Sequence, residues 1–421
     1  MHNDTAKQRP QTILFTHYGD NWIRGSERCL LDLIKHLDKT QFKAVLWCNQ
    51  TLMLNEAKAL GIEVYRSDFP ILFGWQAPRF NVPAYIKLIQ QALTLIKTHN
   101  IQLIHANSAA PCQWLTVAAK KSNIPLVCHM HSTYQLRDRL TLGLYQTDMA
   151  VGVSQYVIDP LVKDNKPSSQ ISVIANGIDT ERLLNQPVVN LRDELTIPPG
   201  DFVIASLGSL IQRKGVDLLI QSIPQLLDKQ INVHLLVIGE GPESDNLKLQ
   251  IVALGLQNKV SLIGEQDNAI GILRGTADLF VSAAREEAFG LVFAEASLAG
   301  LAIVAPNIGG IPNVVVDKKS GLLIPSENVD DLVKAIHQLY LSPALCTAMA
   351  KAGQQYVFDN FTIKKNTQQF QFLYHKLIKT QTIKQPWYKK LSTTWCLLSS
   401  FSTALLNSYQ RVSKRGLTHE Q

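Results

Sequence analysis

Short runs of β-branched and apolar residues alternate with longer stretches of helical period along this chain, and this alternation limits the fold more than any other feature. One series runs from TILFTHYG at residue 12 to ISVIANG at residue 171, and a second begins with FVIASLGSL at residue 202. Strands that alternate with helices predict parallel sheets with crossover helices. We therefore expect an α/β protein with two doubly wound domains in tandem.

The stretch LRDELTIPPG, residues 191–200, has the Pro-Pro-Gly composition of a domain boundary. It predicts an N-terminal Rossmann-like domain over residues 1–195 and a C-terminal one over residues 196–360. A last helix is predicted over residues 361–378, with a return to the N-terminal domain as one option, and residues 379–421 form a separate tail. Ligands bind beyond the carboxyl ends of parallel strands, so a cleft between the domains is the expected site.

Composition excludes several classes of protein. The polar N-terminus, MHNDTAKQRPQ, leads into the first strand without an apolar signal core, so we expect a cytoplasmic protein. The six cysteines form no CxxC pair or Cys/His cluster, which predicts reduced structural thiols. Most of the net charge of +7 lies in residues 379–421, and neither half has the basic stripe of a nucleic-acid-binding protein.

Residues 285–300, REEAFGLVFAEASLAG, place Glu287 and Glu295 eight positions apart around a glycine. On one helix these carboxylates would lie about 80° apart and about 12 Å along the axis, a poor shared site. A helix that begins near Gly290 instead leaves Glu287 in the preceding loop. Free amides at a helix start attract a phosphate. The amides in question belong to Phe289, Gly290, Leu291 and Val292.

In that arrangement both carboxylates can contact a sugar nucleotide. Glu295 can accept hydrogen bonds from the vicinal hydroxyls of a ribose, and Glu287 can hold sugar hydroxyls beside a diphosphate. The alternative is a surface glutamate near a helix cap and an ordinary helix glutamate.

Two further loops carry groups that suit phosphate. Arg213 and Lys214 lie between the first strand and first helix of the C-terminal domain, where two cations can neutralise a pyrophosphate. Gly309 and Gly310 precede a short predicted helix, where backbone amides can meet a phosphate or sugar. Solvated basic residues and a plain turn are the alternatives.

The N-terminal domain offers fewer candidates. Gly25-Ser26 lies at the first strand-to-helix junction, where Ser26 is either an N-cap or a substrate contact. His129 and His131 share one side of a strand near its carboxyl end, and either could be a site residue or a core histidine. No G-x-G-x-x-G follows the first strand, and GEGPES at 239–244 matches it only in part, which disfavours a dinucleotide oxidoreductase. The sequence also lacks Asp-x-Asp, so no metal-diphosphate clamp is predicted.

Taken together, residues 12–378 resemble the retaining glycosyltransferases of the GT4-type family, which have the GT-B fold and the signature E-x7-E. The motifs recur in order: G-S-E-R at 25–28, the histidine of HMHS, V-S at 153–154, V-I-A-N-G-I-D at 173–179, R-K-G at 213–215, G-E-G at 239–241, E-x-F-G at 287–290 and G-G-I-P at 309–312. The resemblance implies transfer of a hexosyl group from a nucleotide-diphosphate sugar, UDP- or GDP-linked, to an acceptor hydroxyl. It implies retention at the anomeric carbon and no cofactor or metal.

The resemblance also implies roles for residues. Glu295 would bind the ribose and Glu287 the donor sugar, Arg213 and Lys214 would hold the diphosphate, and His131 would lie near the anomeric centre. The other implied donor-binding positions are Phe289, Gly290, Leu291, Val292, Gly208, Ser209, Gly239, Gly241, Gly309 and Gly310. On the acceptor side the implied positions are Gly25, Ser26 and His129.

Three positions depart from the family pattern. Ser209 follows Gly208 where many relatives have arginine, so Arg213 would have to replace that cation. Asn313 stands where an acidic residue commonly follows G-G-I-P, and Arg24 precedes Gly25 where a second glycine is common. These departures affect the pockets and leave the class unchanged.

The tail between residues 386 and 416 repeats apolar residues in steps of three or four, the pattern of an amphipathic helix. Basic residues at both ends suit an interfacial helix on an anionic membrane, and a helix packed across the domains is the alternative. Membrane contact would place the protein at the inner face of the cytoplasmic membrane. It would favour a lipid-linked acceptor, as in bacterial cell-envelope polysaccharide or lipopolysaccharide synthesis.

Two other function classes share this architecture. A nucleotide-sugar epimerase of GT-B fold would bind the same diphosphate without an acceptor. A non-catalytic sugar-binding module is disfavoured because such proteins are normally exported, and the polar N-terminal residues do not read as an export signal.

Overall fold

The computed structural model describes residues 9–74 and 78–381 of the chain and divides them into two compact units. The first unit runs to Ala175 and takes up the chain again from Asn366, and the second unit comprises Asn176–Lys365. Each unit is built on a parallel sheet, which confirms the predicted α/β class with two doubly wound domains. The predicted amphipathic stretch 386–416 lies outside the described residues.

In the described part of the first unit, seven parallel strands form one sheet in the order β3-β2-β1-β4-β5-β6-β7. The strands are β1 (Gln11–His17), β2 (Phe42–Cys48), β3 (Glu63–Arg66), β4 (Ile101–Ala106), β5 (Leu126–Met130), β6 (Met149–Gly152) and β7 (Ile171–Val173). The connecting helices are α1 (Gly25–His36), α2 (Thr51–Ala59), α3 (Val82–Thr98), α4 (Cys112–Ser122), α5 (Leu136–Thr141) and α6 (Gln155–Lys163). The central strands read as nearly continuous apolar runs because helices cover both faces of such a sheet.

The second unit repeats this plan with six strands among its described residues, in the order β10-β9-β8-β11-β12-β13. The strands are β8 (Phe202–Leu207), β9 (Val233–Ile238), β10 (Val260–Leu262), β11 (Leu279–Val281), β12 (Ile303–Pro306) and β13 (Gly321–Ile324). The helices are α7 (Thr180–Leu184), α8 (Val216–Asp228), α9 (Ser244–Ala253), α10 (Ala269–Thr276), α11 (Leu291–Leu298), α12 (Ile311–Val314), α13 (Val329–Tyr340) and α14 (Pro343–Asn360).

A final helix, α15 (Ile363–Gln381), belongs mostly to the first unit. Its buried residues Phe370 and Tyr374 join the core that Phe15 and Leu46 form in that unit. The helix is therefore an integral layer of the first unit. None of the helices among the described residues has the length and apolar content that a bilayer-crossing helix needs.

The division between the units falls 20 residues before the predicted boundary at residue 195, since the second unit begins at Asn176. The intervening segment lies against α10: Val189 N donates to Gly271 O at 3.0 Å, and Asn268 Nδ2 donates to Pro187 O at 2.9 Å. These contacts attach residues 176–195 to the second unit although the segment has little regular structure of its own.

Strand order places the loops that matter for ligand binding. In the first unit the order reverses between β1 and β4, and in the second between β8 and β11. Crevices form where the loops after two such strands diverge to opposite faces of the sheet. The loops after β8 and β11, together with helix α11, contain most of the predicted donor-binding residues.

Candidate active site

An ion pair joins the two loops at the reversal point of the second unit. Lys214 Nζ lies 2.5 Å from Glu287 Oε2, with 18% and 11% of the two side chains exposed. Lys214 ends the 3₁₀ turn Gln212–Lys214 after β8, and Glu287 belongs to the loop after β11. Both residues line one small concavity together with Gly208, Ser209 and Val292. The predicted cation and carboxylate are thus brought together.

Helix α11 begins directly beside this pair. Gly290 occupies the N-cap with φ +95°, and the helix runs from Leu291, as the sequence predicted. The Glu287 carboxylate accepts from Ala288 N at 3.1 Å, and Glu295 lies in the second turn of the helix with an intermediate exposure. Phe293 N donates to Gly290 O at 3.0 Å and Phe289 N lies 3.5 Å from Glu287 Oε1. The amides of Leu291 and Val292 therefore remain available to a phosphate.

Close backbone packing holds the loops of this site. Gly215 has φ +66°, and a Cβ there would lie 1.9 Å from Ala283 O, so only glycine allows the loop after β8 to lie on the end of β11. At the next loop Gly310 N donates to Glu287 O at 2.8 Å, and a Cβ on Gly309 would lie 2.0 Å from the same oxygen. The glycine pair therefore supports the Glu287 loop.

The G-E-G loop packs against the turn at residues 208–210 that borders the site. Leu210 N donates to Glu240 O at 2.9 Å, and Glu243 N donates to Leu210 O at 3.0 Å. A Cβ on Gly239 would meet Gly208 O and one on Gly241 would meet Leu210 O. Gly239 and Gly241 thus position the Gly208-Ser209 turn.

Arg285, which the sequence did not single out, ties the two site loops together. Its guanidinium forms a bidentate pair with Asp217 at 2.9 and 2.7 Å and also donates to Gln212 O at 2.7 Å. Its backbone N donates to Arg213 O at 2.7 Å. The ion pair with Arg285 lowers the pKa of Asp217 against the opposing effect of burial. The Arg213 side chain itself is exposed.

Phe289 is predominantly a core residue. Its ring is 2% exposed and packs edge-on against Phe361, with 5.5 Å between ring centroids. The aromatic ring anchors the Glu287 loop, and a donor contact from this residue would have to come from its backbone amide.

In the first unit a buried carboxylate organises the loop after β1. Glu27, 2% exposed, accepts from His17 Nε2 at 2.8 Å, Arg24 N at 3.1 Å and Ser26 Oγ at 3.1 Å. Burial raises the pKa of Glu27, but the hydrogen bonds from His17 and the backbone outweigh it and bring the pKa to about 2. The carboxylate is therefore ionised.

This cluster also answers the question about Ser26. Helix α1 begins at Gly25 with Arg24 at the N-cap, so Ser26 lies in the first turn and is not the cap. The exposed Gly25 backbone and the half-buried Ser26 hydroxyl remain candidates for an acceptor contact.

Asn107 connects this cluster to His131. It follows β4, and its Oδ1 lies 2.9 Å from His131 Nε2, while its Nδ2 donates to Ser26 O at 3.0 Å. His17 Nδ1 lies 3.0 Å from the backbone carbonyl of Asn107. His131 is partly exposed, as a substrate contact requires.

His129 does not fit the predicted acceptor contact. Its ring is 2% exposed and lies between the rings of His131, His105 and Phe370, at centroid distances of 4.2, 5.3 and 4.9 Å. Burial and the neighbouring His105 lower its pKa well below the ordinary value, so the ring is neutral. The strand alternation that places both histidines on one side did not reveal that α15 covers this one.

Among the described residues, no three His, Cys, Asp or Glu side chains are grouped so that they could hold a metal ion. At the reversal point of the second unit, Lys214 and the exposed Arg213 supply positive charge that could meet a phosphate.

Two family models match the chain and together span most of it. "Glycosyltransferase Family 4" matches residues 23–182, and "Glycosyl transferases group 1" matches residues 189–356. The chain belongs to this glycosyltransferase family. It is therefore a glycosyltransferase, as the motifs predicted.

Two curated relatives show the range of this family. The N-acetyl-alpha-D-glucosaminyl L-malate synthase of Bacillus anthracis is 23% identical over 71% of this chain and 81% of its own length. The GDP-mannose-dependent alpha-(1-6)-phosphatidylinositol monomannoside mannosyltransferase of Mycolicibacterium smegmatis is 27% identical over 63% of this chain and 74% of its own length.

A solved structure supports the fold. The crystal structure of HepE from Anabaena in complex with UDP superimposes with a TM-score of 0.74 at 23% identity, covering 87% of this glycosyltransferase and all of HepE. This likeness confirms the predicted GT-B class.

Proposed function

We propose that this glycosyltransferase moves a hexosyl group from a nucleotide-diphosphate sugar to an acceptor hydroxyl with retention of the anomeric configuration and without a required metal ion. The second unit binds the donor, and the polar cluster of the first unit serves the acceptor. The observation that supports this most strongly is the Lys214–Glu287 pair beside the free amides of α11.

The chemistry of that arrangement suits a donor of this kind. Lys214 and the α11 amides can neutralise the diphosphate, and Arg213 can supply a second cation. Glu287 offers carboxylate oxygens to sugar hydroxyls within reach of the same phosphates, and Glu295 offers them to the ribose. Charge that develops on the departing diphosphate then meets preorganised donors, which stabilises the transition state.

Retention follows if the acceptor attacks from the face that the diphosphate leaves. A diphosphate oxygen takes the acceptor proton, and an oxocarbenium-like transition state makes an enzyme nucleophile unnecessary. The Glu287 carboxylate is already engaged by Lys214 and by Ala288 N, which favours a role in binding over nucleophilic attack.

The names of the relatives indicate the class of donor and acceptor. By name, one is GDP-mannose-dependent and acts on a phosphatidylinositol mannoside, and another forms an N-acetylglucosaminyl malate, while HepE has been crystallised with UDP and UDP-glucose. We therefore propose a UDP- or GDP-sugar as donor and a glycan or lipid-linked acceptor in bacterial cell-envelope synthesis. The basic stretch 386–416 supports attachment at the inner face of the cytoplasmic membrane.

Incubation of the purified protein with a panel of UDP- and GDP-sugars and candidate acceptors tests the proposal. We expect release of free nucleotide diphosphate with one donor, undiminished by EDTA, and a product whose anomeric proton shows the donor's configuration by NMR. An epimerase would change the sugar while the diphosphate stayed attached. A binding module would bind the nucleotide sugar without turnover.

A further inference from the structure

The hydrogen bonds around Asn107 determine which way its side-chain amide points. A backbone carbonyl can only accept, so the contact of 3.0 Å with Ser26 O requires the NH₂ group of Asn107 on that side. The carbonyl oxygen Oδ1 then faces His131 Nε2 at 2.9 Å. Asn107 is fully buried, so no solvent competes for either group.

The same contact determines the protonation of the histidine. Because Asn107 Oδ1 can only accept, His131 Nε2 must carry a hydrogen. In a neutral imidazole the other nitrogen, Nδ1, then holds a lone pair. Within the described residues Nδ1 makes no hydrogen bond, and the side chain is partly exposed.

Neighbouring groups favour the neutral ring. Packing against the surrounding side chains, together with His129 and His17, lowers the pKa of His131 well below its ordinary value, while Glu27 acts in the opposite direction. The Glu27 carboxylate is already engaged by His17 Nε2 at 2.8 Å, which limits its effect. The ring at neutral pH is therefore a hydrogen-bond acceptor at one nitrogen and a donor at the other.

We propose that Asn107 is a positioning residue that holds His131 as the Nε2-protonated tautomer, so that Nδ1 accepts a hydrogen bond from a substrate hydroxyl. The Ser26 carbonyl at the start of α1 orients the Asn107 amide, and Asn107 Oδ1 in turn holds the proton on His131 Nε2. Both groups thereby act on the substrate through His131. The kinetic consequence rests on the proposed function, whereas the tautomer is a property of the free protein.

Long-range ¹H–¹⁵N correlation of the full chain labelled with ¹⁵N-histidine tests the tautomer directly. The His131 signals are assigned by their loss in His131→Gln. We expect a protonated Nε2 and an unprotonated Nδ1 at neutral pH. A protonated Nδ1, or a charged ring at pH 7, would overturn the proposal, and this holds whether or not the protein transfers any sugar.

Two substitutions at residue 107 extend the test. Asn107→Leu removes the acceptor, so the ring should become a mixture of tautomers and kcat/KM should fall about 3- to 10-fold, the value of one neutral hydrogen bond. Asn107→Asp keeps an acceptor and adds charge, so the His131 titration and the acidic limb of the rate profile should move to higher pH. An unchanged tautomer in Asn107→Leu would contradict the proposal.

A matched histidine elsewhere serves as the control. His234 Nε2 lies 2.9 Å from Ser261 Oγ in the second unit. Its signals should be unaffected by the Asn107 variants, whereas Ser261→Ala should alter them and leave His131 unchanged. If the His131 tautomer is as expected but no nucleotide sugar is turned over, the proposed function fails and the positioning role of Asn107 stands.

Discussion

Lys214 Nζ and Glu287 Oε2 are 2.5 Å apart although 73 residues separate them in the chain. The pair forms because β8 and β11 are neighbours in the sheet and the loops after them meet. A diphosphate that binds Lys214 must either share this cation with Glu287 or displace the Glu287 carboxylate from it. Loss of the Lys214 cation should therefore weaken nucleotide binding, whereas loss of the Glu287 charge should not.

Lys214→Ala should weaken binding of the free nucleotide diphosphate about 10- to 100-fold, since it removes a charged hydrogen bond to phosphate. Isothermal titration with UDP and GDP measures the change. Lys334→Ala is the control, because Lys334 pairs with Asp331 on the surface of α13 and is 72% exposed. Equal affinities in the two variants would contradict the assignment of Lys214.

Glu287→Gln should leave the affinity for nucleotide diphosphate unchanged or increase it, because the substitution removes a competing negative charge beside Lys214. Sugar transfer should fall about 10- to 100-fold, since a charged contact to the donor sugar is lost. Titration and turnover on the same preparation separate the two effects. Weaker nucleotide binding would mean that Glu287 organises the loop instead of contacting the sugar.

Two glycines with nearly the same backbone provide a test of the loop packing. Gly255 has φ +69° with no atom near a Cβ, so Gly255→Ala should cost about 1 kcal/mol of unfolding free energy. Gly215 has φ +66° and faces Ala283 O, so Gly215→Ala should cost about 1–3 kcal/mol more and also weaken nucleotide binding at Lys214. Urea unfolding measures both, and equal losses would show that the close contact relaxes without cost.

The sequence predicted the local structure around Lys214 and Glu287 well because its signals are local. The start of α11 at Leu291 follows from a glycine that precedes an apolar run, and Lys214 lies in a loop whose strand and helix are both periodic. Alternation of apolar runs also predicted both sheets. Such features depend on residues that are close together in the chain.

The contacts that the sequence did not reveal join distant residues. Asn107 reaches His17 across 90 positions because β1 and β4 are neighbours, and Arg285 reaches Asp217 across 68. No local pattern marks these residues. The division at Asn176 was missed for a related reason, since hydrogen bonds to α10 and not a periodic pattern attach the segment that follows it.

His129→Phe should make the protein less sensitive to acid. The unfolded chain protonates this histidine near pH 6.5, while the folded protein keeps it neutral because burial lowers its pKa. Its contribution is therefore complete above pH 6.5 and is lost as the pH falls, by up to about 1.4 kcal/mol per pH unit. Urea unfolding at pH 7 and pH 5.5 measures the slope, and the same loss in both proteins would contradict the prediction. His105, whose pKa burial lowers to about 3, is present in both the unaltered protein and the variant, so it adds a similar loss of unfolding free energy to each as the pH falls.

The predicted membrane role of residues 386–416 depends on charge, so it can be tested in the full chain by reversing two cations. Lys389→Glu combined with Lys390→Glu should abolish cosedimentation with anionic vesicles, because each basic residue near such a surface contributes about 1 kcal/mol. The exposed pair Lys318 and Lys319 allows a control with the same change in net charge, which should bind as the unaltered protein does. Binding of the unaltered protein should weaken as salt rises from 0.05 to about 0.5 M, since screening reduces the attraction. If the unaltered protein does not bind anionic vesicles at low salt, or binds neutral ones equally well, the stretch has another role and the case for a lipid-linked acceptor loses its sequence support.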